Sequence, residues 1–505
     1  MEIKMLENEC WYGGVIHKGM RMPFDQNSDY TIDMLKESFL DQVSPLFISN
    51  KGRYIHSDKP FRIHFDRGVI KIDQIADIEL SDGFETLKGA HLAAAKKFFK
   101  LDGRLPNETF LKAPQYNTWI ELQYNQTQEG ILKYAHSLID EGMPAGVLMI
   151  DEGWAPDYGD FDFCKRKFEN PKAMVDELHS LGFKVMLWVT PHISPDGYAY
   201  RELATTNYLI KDKDGKVAIR EWWNGWSCVL DLTNPKACEW FKKRLDSLID
   251  KYGVDGFKFD AGNQYMYADD DKTYLKKPIA EHTKAFDMFA SQYEFNELRC
   301  IYDCGGMPIV ARLQDKIPQW EGRDGMPCLL PSMLMQGLMG YYFGCPDMVG
   351  GGAVGAFEDG SFNFDEELYL RWLEESILCP MVQFSISPKR LLSEDGMNAV
   401  IKLIALRESF KDKILTLAKE ASVTGEPIIR MLEYEFPNEG FERVTDMFML
   451  GCDILVAPVA EKGKMGRYVK LPKGNWKSFN GRVLVGGDAI WAEVPVSELL
   501  WFEKL

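Results

Sequence analysis

Val254-Asp-Gly-Phe-Lys-Phe-Asp-Ala-Gly-Asn263 is a short apolar run that ends on a carboxylate, Asp260, and then on small and turn-forming residues. A run of this length, bounded by glycines, reads as a buried parallel strand. Two runs upstream have the same character: residues 146–150 (GVLMI), which end at Asp151, and residues 184–189 (KVMLWV). Amphipathic helices are expected between and around them, over residues 128–141, 171–181 and 235–251. A strand is expected at 118–122 before them. After them the pattern continues at 300–302 with its flanks, and more weakly at Trp320, 340–343 and 380–384, with a helix over 366–377. Eight strand positions alternating with helices over about 290 residues predict a (β/α)8 barrel.

Outside this stretch the texture is β. Residues 61–65 and 69–72 alternate apolar and polar side chains, and residues 89–101 read as a helix inserted among strands. After a helix near 398–408 come β segments at 428–434, 447–456, 466–471 and 489–494. The expected organisation is α/β: a β-rich, sandwich-like N-terminal domain over 1–112, the barrel over 113–410, and a C-terminal β-sandwich over 411–505.

Composition narrows the function. The chain has 505 residues, 46% hydrophobic and 27% charged, with a formal charge of −17. That is ample for a large core. The negative field disfavours nucleic acid and anionic membranes as partners. No run approaches the ~18 apolar residues of a membrane span. The opening MEIKMLENECWYGG has no charged-then-apolar leader, so a cytoplasmic protein is expected unless a leader preceded the numbered chain. The ten cysteines are scattered without a CxxC pair and are expected to be reduced. The eight histidines form no HExxH, and neither nucleotide-loop pattern occurs, so neither cofactor nor metal is expected.

In a parallel barrel the chemistry sits on the loops after the strands. Asp151 and Asp260 fall there, among Trp154, Trp188, Trp222, Trp223 and Trp226. Paired carboxylates with aromatic platforms serve glycoside chemistry: one attacks or stabilises an oxocarbenium-like centre and the other protonates the leaving oxygen. An acidic residue after a strand also serves as a helix N-cap, and clustered tryptophans also fill cores. Patterning therefore leads to a barrel enzyme with an acidic rim and no further.

Four segments in order resemble glycoside hydrolase family 31. Residues 254–263 resemble its nucleophile motif. Ile150-Asp-Glu-Gly-Trp154 is similar to the Asp-Asp-Gly-Trp of α-galactosidases in the same clan. Val229-Leu-Asp-Leu-Thr-Asn-Pro235 resembles the strand before the nucleophile strand, and residues 340–351 (GYYFGCPDMVGG) the strand-seven motif. The resemblance implies a retaining, exo-acting α-glycosidase with Asp260 as nucleophile. The family's acid/base motif after strand six is matched by Trp320-Glu-Gly-Arg-Asp324, one residue longer than usual. It assigns Asp324 as acid/base, with Glu321 as a rival and Asp315 as a weaker one. It also implies substrate contacts from Asp151, Lys258, Arg312 and Asp347, and pocket walls from Trp154, Trp188, Trp226 and Trp320. The expected partner is a small-molecule or oligosaccharide α-glycoside; a homo-oligomer is compatible with β flanks.

Departures from the family pattern bear on the sugar. The α-glucosidase members carry a histidine after strand eight, and Leu378-Cys-Pro-Met-Val-Gln-Phe-Ser-Ile-Ser-Pro388 has none. This segment, the Gly-Cys-Pro-Asp-Met motif and Trp11-Tyr-Gly-Gly14 look more like the α-galactosidase subgroup. Asp151, Glu152 and Cys345 are then the candidates for the axial hydroxyl of galactose. An α-glucosidase or α-xylosidase is the alternative within the family, and a carbohydrate-binding barrel without activity is the alternative outside it.

Overall fold

The computed structural model describes residues 1–35, 40–73, 77–355 and 364–505. Its centre is a parallel barrel of eight strands: β1 (Gln115–Asn117), β2 (Val147–Ile150), β3 (Lys184–Val189), β4 (Gly256–Phe259), β5 (Phe295–Leu298), β6 (Val310–Arg312), β7 (Gly344–Cys345) and β8 (Gln383–Phe384). The ladder runs β7-β6-β5-β4-β3-β2-β1-β8. The barrel is nearly closed, and at the β7–β8 seam the Val349 N–H donates to the Gln383 carbonyl at 2.8 Å.

The apolar runs of β2, β3 and β4 form as their sequence dictates, because both faces of each are buried. The helices between them carry their own punctuation. Pro235–Tyr252 starts on an Asn234 side-chain cap with Pro235 in its first turn, and stops at Gly253 with φ +80°. Five strand expectations need correction, and in one of them the seventh strand is Gly344–Cys345, just past residues 340–343. The first strand is Gln115–Asn117; the Asn117 side chain then accepts the Trp119 N–H at 2.9 Å, and residues Trp119–Leu122 turn into helix instead of strand. The fifth strand is Phe295–Leu298, ahead of residues 300–302, and its buried polar Asn296 and Glu297 hide it from an apolar-run reading. The sixth strand is Val310–Arg312, and Trp320 lies in the loop beyond it. The Gly225–Val229 strand before Asn234 pairs with Arg220–Trp222 and His192–Ile193 in a separate antiparallel sheet, outside the barrel.

Two four-stranded antiparallel sheets precede the barrel. One joins Glu2–Lys4, Val69–Ile72, Arg62–Asp66 and Asp29–Asp33; the other joins Trp11–Val15, Val43–Ser49, Tyr54–His56 and Glu79–Ser81. The inserted helix is Leu87–Phe98. The first sheets and the barrel share one continuous apolar core. The turn Ile16–Arg21 packs on helix Leu329–Leu338 so closely that a Cβ at Gly19 would stand 2.6 Å from the Pro331 carbonyl oxygen. After the barrel, one helix runs from Glu394 to Thr424, through the position expected as a domain boundary. A six-stranded antiparallel sheet and a two-stranded one follow, with a core of their own around Trp476 and Phe502. The expected 428–434 segment is split between the strand Ile429–Arg430 and the turn of helix Leu432–Glu435. No helix of the described residues is long and apolar enough to cross a membrane. Eight of the ten cysteines are buried, and all ten are free thiols.

Candidate active site

Asp260 stands one residue past β4 and is 7% exposed. Its N–H continues the ladder to the Val189 carbonyl at 2.9 Å, which fixes where the side chain emerges. Three donors hold its carboxylate. The Trp188 indole N–H reaches Oδ2 at 3.0 Å, and the Ala261 N–H reaches Oδ1 at 2.8 Å. Arg299, one residue past β5, brings Nη2 to 3.0 Å from the same Oδ1. Burial alone would raise this carboxyl. The charges of Arg299, Lys258 and Arg312 outweigh it and hold Asp260 well below the usual carboxylate range. Asp260 is therefore an anion at any physiological pH, as a nucleophile requires.

The second carboxylate at this point is Asp315. The other terminal nitrogen of Arg299 lies 3.9 Å from Asp315 Oδ2, and Arg312 Nη1 donates to Asp315 Oδ1 at 2.9 Å. The side chain of Asp315 keeps 31% exposure against 10% for Asp260, so it faces the opening. Burial pushes its carboxyl up, and Arg312, Arg299 and Lys258 together pull it below the usual value. Beside it, burial against the opposing Arg312 charge raises the carboxyl of Asp347 to about 7. Asp315 and Asp347 share the Arg312 guanidinium, so the two carboxyls titrate as a pair and not as independent sites.

Asp324 stands elsewhere. It is exposed, as is Glu321; its side chain accepts from the Gln314 amide at 3.1 Å and its carbonyl from the Ile317 N–H at 2.7 Å. The longer loop after β6 carries both acids out towards solvent, and the carboxylate that shares Arg299 with Asp260 is Asp315 instead.

The other expected residues divide in the same way. Asp151 and Lys258 form a buried ion pair at 2.7 Å, with side chains 3% and 5% exposed. Arg312 is 1% exposed and spent inside the barrel on Glu297, Asp315 and Asp347, so the arginine at Asp260 is Arg299. Cys345 is fully buried in the layer of Glu297, Arg312 and Asp347, beneath the carboxylates, which is a correction to its expected place at a sugar hydroxyl. Asp347 is 1% exposed and accepts from Arg312 and from the Lys316 N–H at 2.5 Å. Trp154 is buried, donates to the Trp188 carbonyl at 2.7 Å, and lines with Trp188 and Tyr158 a neighbouring cavity of about 330 Å³. Trp320 is half-buried and donates to Asp365 at 2.9 Å. Trp226 is 59% exposed on the hairpin of Arg220–Trp222 and Gly225–Val229.

That hairpin holds residues which patterning missed. Its tip lays the Trp223 ring against Arg299, with the guanidinium carbon 5.4 Å from the ring centroid. Asn224 donates to the Glu152 carboxylate, as does the Tyr158 hydroxyl. Burial pushes Glu152 up to about 7, against the Tyr158 hydrogen bond and with help from Asp151 and Asp260. Glu152 can therefore give or take a hydrogen bond near neutrality. Among the described residues no group of three or more His, Cys, Asp and Glu side chains could hold a metal.

The Asp151–Lys258 pair makes a stability prediction. Lys258→Met leaves the Asp151 carboxylate buried without its counter-charge, and is expected to cost about 3–5 kcal/mol in denaturant unfolding. Asp151→Leu in the same chain is expected to restore part of that loss. A single-variant loss below about 1 kcal/mol would mean the pair carries no such burden.

Residues 114–304 match the model described as the glycosyl hydrolases family 31 TIM-barrel domain, and residues 425–504 the family 31 C-terminal domain. Among curated proteins, the chain is 33% identical to the mouse myogenesis-regulating glycosidase over 80% of this chain and 58% of that one. It is 25% identical to an alpha-xylosidase of Lactiplantibacillus pentosus over 87% of this chain and 59% of that one. The chain spans about half to three-fifths of the length of the curated relatives it matches. Among solved structures, a family 31 dextranase of Flavobacterium johnsoniae, complexed with glucose, superposes with a TM-score of 0.87 at 22% identity. That match covers 100% of this chain and 66% of the dextranase chain, and it supports the fold.

Proposed function

The chain belongs to glycoside hydrolase family 31, and from that premise we propose that it is a retaining α-glycosidase working through Asp260 and Asp315. The observation that carries this reading is the shared guanidinium: Arg299 stands 3.0 Å from Asp260 and 3.9 Å from Asp315. One arginine spanning two carboxylates is compatible with the ~5–5.5 Å separation that retaining chemistry uses. In the first step Asp260 attacks the anomeric carbon as the aglycone oxygen departs with a proton from Asp315. The bond formed is a β-glycosyl ester. In the second step Asp315, now a carboxylate, takes a proton from water as that water attacks the same carbon. The ester breaks, and the product keeps the α configuration. Esterification removes the charge on Asp260. That favours the base role of Asp315 by lowering its proton affinity.

For the sugar we propose an α-galactoside. Glu152, with its carboxyl near 7 and its anchors in Tyr158 and Asn224, is a polar group well suited to an axial hydroxyl. A site built to hydrogen-bond one hydroxyl discriminates strongly against the epimer that lacks it. The names of the relatives favour a second reading, an α-glucoside or α-xyloside, since they include an alpha-glucosidase and alpha-xylosidases. Release of nitrophenol from α-galactoside, α-glucoside, α-xyloside and α-N-acetylgalactosaminide decides between them. The galactoside is expected to give the highest kcat/KM. A glucoside or xyloside preference would overturn the sugar and leave the catalytic pair standing.

A further inference from the structure

We infer that Gln42, the residue just before the N-terminal strand Val43–Ser49, is a positioning residue for the active site, bracing β5 and β6 at the point where their ladder ends. The inference rests on the reading of Asp260 and Asp315 as the catalytic pair. The β5–β6 ladder has two rungs, Glu297 with Val310 and Leu298 with Ala311. The next pair in register is Arg299 with Arg312, and no rung joins them. Gln42 fills that place. Its amide nitrogen donates to the Arg299 carbonyl at 2.6 Å and to the Arg312 carbonyl at 2.8 Å. Its amide oxygen accepts from Gln336 at 2.7 Å, so the amide cannot turn over without losing all three bonds.

The residues beside Gln42 grip the same two arms. The Asp41 carboxylate accepts the Gln314 N–H at 2.5 Å. The Leu40 carbonyl accepts from the Cys300 thiol at 3.3 Å, and the Val43 N–H donates to the Ile301 carbonyl at 2.8 Å. Four consecutive residues leading into the Val43–Ser49 strand thus fasten the segments from which Arg299 and Asp315 project. Gln42 is fully buried, so these bonds are not traded for water. The distance between the two strand tips sets how one guanidinium divides itself between Asp260 and Asp315.

The test uses the full chain with Gln42→Leu, which keeps the bulk and removes the amide. Without the brace the arms shift by a fraction of a strand spacing, and kcat is expected to fall on the order of 100-fold while KM moves by less than about threefold. The pH profile carries the specific signature. Arg299 holds both carboxyls down, so its displacement raises both, and both limbs of the kcat/KM profile move to higher pH. Gln336→Met, which frees the amide to turn, is expected to produce the same upward shift in milder form and serves if Gln42→Leu does not fold. Tyr12→Phe removes a partly buried cross-domain bond, from the Tyr12 hydroxyl to the Glu442 carbonyl, and is expected to lower Tm with kcat and pH profile unchanged. Unshifted profiles in folded Gln42→Leu and Gln336→Met, with Asp260→Asn inactive in the same assay, would overturn the inference. Full activity in Asp260→Asn would instead overturn the catalytic pair beneath it.

Discussion

Replacing Asp260 with Asn is expected to lower kcat on every accepted α-glycoside by about 10⁴-fold or more. The amide has the shape of the carboxylate but neither its charge nor its nucleophilicity. It also leaves Arg299 without the partner it holds at 3.0 Å. Because the covalent step is lost, no leaving group should rescue the variant. Asp260→Ala with azide is expected to give the β-glycosyl azide, since the small anion enters from the vacated face and a single displacement inverts the centre. Wild-type protein silent on all four aryl glycosides, folded and still able to bind sugar, would point to a carbohydrate-binding barrel.

The second large effect separates Asp315 from Asp324. Asp315→Asn is expected to slow hydrolysis of a sugar–sugar bond on the order of 10³-fold, because the departing alkoxide then leaves without a proton. The first step with an activated aryl leaving group should suffer by no more than about tenfold, since such a group departs as the anion. Azide should restore turnover of Asp315→Ala and yield the α-glycosyl azide, the opposite anomer to that from Asp260→Ala. Asp324→Asn is expected to stay within about threefold of wild type on both substrates, because an exposed side chain bonded to Gln314 has little to transmit. A leaving-group-dependent loss in Asp324→Asn, with Asp315→Asn unaffected, would return the acid/base role to the longer loop.

Much of the barrel was legible because β2, β3 and β4 are continuous apolar runs, and Asp151 and Asp260 follow the first and third of them directly. The later strands were not legible, for a physical reason. β5 to β8 are two to four residues long, and Glu297, Arg312 and Gln383 point into the barrel as a polar layer, while Asn296 on the other face bonds the Tyr293 and Pro308 carbonyls. Gln383 donates to Gln115 and Glu297 at 2.7 and 2.8 Å, and Glu297 lies 3.3 Å from Arg312. Such a layer satisfies itself by cross-barrel bonding that no local pattern announces. Arg299 was missed on the same account: its partners come from β4 and the β6 loop. The signal for Asp315 was present, as an acid three residues after a strand-end arginine, Arg312. The motif match drew the expectation nine residues further, to Asp324, which the loop carries into solvent away from Asp260.

The Gln42 brace also bears on how the molecule is made. Its two acceptors lie 257 and 270 positions further along the chain. During synthesis at about 5–20 residues per second, the N-terminal sheets wait tens of seconds for the segment they must grip. Until then Gln42, Asp41 and the surface around Gly19 have no counterpart, and contacts of such long sequence separation close slowly. The strand tips that carry Arg299 and Asp315 therefore lock only after more than half of the chain exists, and on the proposed reading of Asp260 and Asp315 competence for catalysis waits on that long-range closure.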